Sequence, residues 1–124
     1  MREKEHKNQE EFEREKTDLE KIKEKIAEIK EKKLLEEEKM IKENIEKQIS
    51  QFKPSPKIEK ISQQKWEKIK DLDIEKKIFE LLKIAENKGI SFAVNIAQKS
   101  KDPYLLDLFH DILAKNEYYK NFPL

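Results

Sequence analysis

Phe52-Lys53-Pro54-Ser55-Pro56 decides how this chain is divided. Each proline removes a backbone donor and pushes the residue before it toward extended geometry, so a helix cannot run through the pair. Residues 1–53 hold 15 Lys/Arg and 16 Asp/Glu against 14 apolar side chains, whereas residues 73–124 hold 8 basic and 8 acidic residues against 25 apolar ones. The first stretch reads as a charged helical arm and the segment 54–57 as a stiff hinge. Residues 58–124 then form the domain that excludes water, a small helical bundle with an aromatic tail.

Upstream of the prolines, from about Asn8 to Phe52, nearly every residue is a good helix former and neither Gly nor Pro intervenes. Glu and Lys recur three and four apart, as in Glu20/Glu24 beside Lys21/Lys25, which supports a single long helix of roughly 70 Å. Phe12, Leu19, Ile22, Ile26 and Ile29 follow the spacing of a short coiled-coil seam, so these five are the candidate partner-binding positions of the arm. The seam does not persist: Lys33, Glu36 and Glu43 fall in phase, while the apolar row resumes on a rotated face at Leu34, Ile41, Ile45, Ile49 and Phe52. Such a shift reads as a stutter or as two separate contacts along one rod.

Downstream, Ile58, Ile61, Ile69 and Leu72 share one helical face, with Trp66 at its edge as a further partner-binding candidate and Lys65 interrupting the row. Asp73 is placed to cap a helix with a core row of Ile74, Ile78, Leu81, Leu82 and Ala85, widened by Phe79 and Ile84. An apolar arc that wide suits a central helix. Gly89 ends it with the left-handed residue that follows many last turns, and Ser91 reads as the cap of a short helix turning Phe92, Ala93, Ile96 and Ala97 inward. Asp102-Pro103 then opens another helix, an Asp cap followed by a proline where the missing N–H costs nothing. Leu105, Leu106, Leu108, Phe109, Ile112 and Leu113 occupy one arc of roughly 160°, leaving Asp107, Asp111 and Ala114 opposite. Helices are expected over about 58–72, 73–88, 91–100 and 103–116.

Composition bounds the chemistry. With no Cys, thiolate catalysis, disulfides and Cys-based metal centres are excluded. Gly89 is the only glycine, so a Gly-rich phosphate loop is excluded too, and no Ser sits in a nucleophile elbow. Asp107, His110 and Asp111 are metal-capable at helical spacing, but no second helix repeats the pattern that a di-metal bundle needs. They read as a polar flank. Neither a catalytic residue, a metal, a cofactor nor a small-molecule substrate is expected.

Net charge is +1, and only residues 57–72 lean basic, with 5 Lys against 3 acids. A helix reading a DNA groove should expose Arg, Lys, Asn or Gln, whereas residues 91–100 offer only Asn95, Gln98 and Lys99. A nucleic-acid-associated protein using helix 57–72 and the short-helix module is therefore the second reading. No run approaches the roughly 20 apolar residues of a membrane span. The opening Met1-Arg2-Glu3-Lys4-Glu5 has no apolar stretch of the signal-peptide kind, so the cytoplasm is the expected location.

Asn87-Lys88-Gly89-Ile90, Ala93-Val94, Ala97, Asp102-Pro103-Tyr104-Leu105-Leu106-Asp107 and Phe109-His110-Asp111 together resemble a short segment near the C-termini of uncharacterised proteins from small-genome bacteria of the candidate phyla radiation. Some of those proteins accompany type IV secretion or pilus-like machinery. The resemblance spans residues 74–113, carries no functional residue across, and implies a bacterial cytoplasm and a protein assembly as partner.

The expected protein is all-α: a long charged N-terminal helix, in part a coiled coil, joined by a Pro-Ser-Pro hinge to a bundle of three to four helices. Its expected role is non-enzymatic, the arm pairing with itself or with a partner helix and the bundle docking on a protein assembly. Tyr118, Tyr119 and Phe122 form an aromatic tail that either closes the bundle or meets the partner. Whether the arm folds back on the bundle is left open by the sequence.

Overall fold

The computed structural model describes residues 18–31 and 34–115, and all its regular elements there are helices. Helix α1 covers residues 18–31. It is followed by α2 (Glu36–Ser50), α3 (Pro56–Ile69), α4 (Ile74–Lys88), α5 (Ile90–Gln98) and α6 (Pro103–Ala114).

The single helix expected over 8–52 is interrupted at Leu34 and Leu35, which is a correction to that reading. Leu35 takes an extended conformation, φ −66° and ψ 160°, and its backbone N–H donates to the Glu38 carboxylate at 3.0 Å. Glu36, Glu37 and Glu38 place negative charge on the first turn of α2, where the free N–H groups favour it. The phase shift supplies the physical reason. At 100° per residue the stripe of Ile22, Ile26 and Ile29 lies roughly 130° from that of Ile41, Ile45 and Ile49. One straight rod cannot press both stripes on one bundle, whereas two helices can.

The described part of the arm does lie against the bundle. Ile22 and Ile26 of α1 and Ile45 and Ile49 of α2 join the same buried cluster as Ile78, Leu81, Ile96 and Phe109. The centre of that cluster is α5. Ile90, Ala93, Val94, Ile96 and Ala97 on it are all fully shielded, and the helix packs against α3, α4 and α6. A helix apolar around its circumference belongs in the middle of a fold. Helix α4 packs on two neighbours, α5 and α6, as its wide arc implies, and α5 is more central still. Helix α2 lies along α6, and α6 also touches α4.

Local signals set these elements. Ser55 accepts a hydrogen bond from the Ile58 N–H at 3.2 Å with Pro56 at the first helical position, so the Pro-Ser-Pro segment launches α3. Asp73 caps α4 by accepting from the Lys76 N–H at 3.0 Å, and Asp102 caps α6 by accepting from the Tyr104 N–H at 3.0 Å. The cap expected at Ser91 is corrected: that residue lies inside α5, and Gly89 stands at both the end of α4 and the start of α5. Its φ of 102° with ψ of 152° is positive but extended, not the left-handed helical conformation expected, and only glycine enters that region freely. Among the described residues the non-glycine with positive φ is Lys101, φ 56°, which turns the backbone ahead of Asp102-Pro103.

Candidate functional site

Helix α6 has two working faces. One is the expected apolar arc, with Leu105, Leu108, Phe109, Ile112 and Leu113 buried. The other is the polar flank, and it is less open than that reading implies: Ala114 and His110 are buried as well, His110 beside Glu46 of α2. Beside the buried Ile45 and Ile49, the α2–α6 seam carries a polar row. Lys42 on α2 stretches between two carboxylates one helical turn apart on α6, its ammonium 2.6 Å from Asp107 Oδ1 and 2.6 Å from Asp111 Oδ1. One turn further along α2, Glu46 Oε1 lies 3.3 Å from His110 Nδ1. Residues four apart share a helix face, so the two pairs face each other in register.

Burial is unequal across this seam. The Asp107 side chain is 62% exposed and that of Asp111 only 14%. Burial raises the Asp111 carboxyl above its ordinary range, and the Lys42 ammonium pulls back against that rise. Burial also works against the Lys42 ammonium, but a hydrogen bond to Asp107 and the charges of Asp107 and Asp111 leave it raised above 10.5. For His110, burial comes first and lowers the imidazole below 6.5; Lys42 adds to that while Glu46 and Asp107 oppose it. The imidazole is thus neutral at pH 7. Its Nε2 is buried with no hydrogen-bond partner.

The seam ends in a second polar knot. Lys115, directly after α6 and nearly shielded from water, has its ammonium 3.7 Å from Glu28 of α1 and 3.8 Å from the buried Glu38 of α2. One cation therefore serves both N-terminal helices. Sequence reasoning missed it because nothing near Lys115 in the chain signals a distant partner.

The predicted partner-binding residues fall into different environments. Ile22 and Ile26 are 3% and 2% exposed, Ile29 packs partly buried beside them, and Leu19 is half-buried. Trp66 packs on the core with the Lys77 ammonium 5.5 Å from its ring centroid, so it is covered on that side by a cation. Phe12, Tyr118, Tyr119 and Phe122 lie outside the described residues. Among the described residues the large apolar side chains left exposed are Leu35, Met40 and Tyr104, none of which the spacing singles out.

Other candidates are already engaged. Asn95, a base-reading candidate, is buried and donates to the Ser62 hydroxyl at 2.8 Å, and Lys99 is ion-paired with Glu59. Among the described residues no group of three or more His, Cys, Asp or Glu side chains is gathered so as to hold a metal. In the Asp107-His110-Asp111 set the carboxylates clasp an ammonium instead. Two open clefts flank the seam. One, of about 580 Å³, runs between Ile29, Leu34, Lys42 and Asp107, and the other, of about 590 Å³, between Glu46, Tyr104, Leu106 and His110. No described helix is long and apolar enough to cross a membrane. The chain matches no protein-family model, no curated protein and no solved structure.

Proposed function

We propose that this chain is a non-enzymatic helical interaction protein, whose charged N-terminal helices pair with a helix of its own bundle or of a partner, and whose α3–α6 head docks on a protein assembly. The observation that carries this reading is the seating of Ile22 and Ile26. The stripe with coiled-coil spacing is occupied by the protein's own bundle, while Asp18, Glu20, Lys21, Lys23 and Glu24 around it remain in water. A helix held by so narrow a stripe is open to competition from any amphipathic helix of the same spacing, because its charged flanks add little to the grip. Pro54-Ser55-Pro56 then acts as the joint at which the N-terminal helices part from the head. The resemblance read from residues 74–113, to uncharacterised bacterial proteins of which some accompany secretion or pilus-like machinery, makes an assembly of that kind, in a bacterial cytoplasm, the partner of this proposal.

The test replaces Leu19, Ile22, Ile26 and Ile29 together by Gln in the full chain. Solution mass and capture of proteins from native extract are then compared with those of the parent. A change in mass or loss of captured protein, with helicity retained over α3–α6, is the expected result. Identical mass and identical capture would remove the arm from the interaction.

A further inference from the structure

We propose that His110 and Glu46 form a pH-sensitive latch between α6 and α2, closed at neutral pH and opened by mild acid so that α2 lifts from α6. The inference does not depend on any partner and stands apart from the reading above.

The geometry is that of a buried group with room for one proton and no provision for a second. His110 is 7% exposed, and its Nδ1 lies 3.3 Å from Glu46 Oε1, a pairing that a neutral imidazole satisfies by donating one N–H. Its Nε2 is sealed from water and has no acceptor. A second proton would sit on that nitrogen as a buried donor with nothing to receive it, which is among the costlier defects a fold can carry.

Every charged group in reach bears on the balance. From α2 come the Glu46 carboxylate, which favours a charged imidazole, and the Lys42 ammonium, which opposes it. From α6 itself come Asp107, which favours the charge, and Asp111, whose own carboxylate is committed to Lys42. Helix α5 has no ionisable side chain between Ile90 and Gln98, and the buried residues of α4 are Ile78, Leu81, Leu82 and Ala85. Burial is the largest influence and outweighs the acids, so the imidazole is lowered from 6.5.

The sign of the effect follows. A base held below its ordinary value binds its proton more readily in the unfolded or detached state than in the packed one. Its contribution to packing is complete above pH 6.5 and is lost as the pH falls through 6.5 toward the lowered value. Asp111, raised by burial, acts with the opposite sign, so its protonation works against opening. The element that responds is α2, because it carries Lys42 and Glu46 against α6 and adds Ile45 and Ile49 to the buried cluster, whereas α3 and α4 are both held on the apolar α5.

The experiment follows the imidazole ring protons of the full chain by NMR between pH 8 and pH 4.5, with His110 told apart from His6 by a His110→Phe variant. In parallel, amide exchange is measured at pH 7.5 and pH 5.5 and corrected for the intrinsic rate. The expected outcome is a His110 midpoint below 6.5, moved further down in Glu46→Gln. Exchange should accelerate across Met40–Gln48 on acidification while Leu81–Ala85 and Ala93–Ala97 stay protected. A His110 midpoint at or above 6.5 overturns the latch, and this readout needs only the parent chain, so it survives a variant that fails to fold. Acceleration spread evenly over α2, α4 and α5, or none in α2, overturns it as well. In His110→Phe the acid sensitivity of α2 should disappear, and its persistence there would assign the switch to another group.

Discussion

Helix α5 and helix α1 hold on to the same molecule by different means. Five of the nine residues of α5 are apolar and fully shielded, whereas α1 contributes Ile22 and Ile26 to the core from a surface that is otherwise largely charged. Burial of a Val or Ile side chain is worth about 1.5–3 kcal/mol, and α5 adds to Ile90, Val94 and Ile96 two shielded alanines and contacts with three neighbouring helices, whereas α1 is held by Ile22 and Ile26. Stability in this protein is therefore graded from the centre toward the N-terminal helices. A helix of low local stability is the one free to exchange partners.

The sharpest way to break that comparison is at the centre. Phe109→Ala removes the largest fully buried side chain and should cost about 3–5 kcal/mol, read as a drop in urea midpoint for all helices together. If only α6 melted, the centre would not be one cooperative unit. The next test sets the same substitution in both regions. Ile96→Ala should cost about 2–5 kcal/mol in global unfolding. Ile26→Ala should instead cost about 2 kcal/mol at most, because detachment of α1 caps the loss, and amide exchange should rise in α1 alone. Equal costs at the two sites would erase the gradient.

A smaller effect probes the one polar pair inside the centre. Ser62→Ala leaves the buried Asn95 amide without its partner and should cost about 1–3 kcal/mol by chemical unfolding, with Ser62→Thr costing less if the methyl is accommodated. The smallest effect belongs to the seam. Lys42→Met should cost about 1 kcal/mol, less at high salt, since Asp107 is largely in water while Asp111 loses its only ion partner on α2. The Lys42 ammonium, raised by its carboxylates, stabilises the parent fully below pH 10.5 and loses that contribution as the pH climbs through its raised value. A parent and Lys42→Met pair should therefore converge in alkali, which a pH series of unfolding midpoints would show.

Much of the C-terminal half was legible because its signals are local. Asp73, Asp102 and Pro103 mark helix starts within a few residues of the hydrogen bonds they make, and the core rows of α4 and α6 follow from spacing alone. Gly89 was recognised as an end but not as a beginning, since one residue carries both roles and Ser91 offered a more familiar cap. The break at Leu34-Leu35 was visible only as a change of phase, which spacing reports equally for a stutter and for a corner. The least legible feature was the polar face of α6. Asp107, His110 and Asp111 look like a polar flank from within their own helix, and only Lys42 and Glu46, more than 60 positions earlier, cover His110 and Asp111 while Asp107 stays largely in water. Ser62 was passed over for the same reason, its partner Asn95 being 33 residues away.

Lys115 gives the N-terminal helices a consequence in time. The chain leaves the ribosome with α1 and α2 first, yet the cation that neutralises Glu28 and Glu38 comes after the last turn of α6. At roughly 5–20 residues per second the occupants precede their seat by seconds. During that interval nascent α1 and α2 have their isoleucine stripes bare, and the first helix they meet is as much a matter of what waits outside the exit tunnel as of what is still to be translated.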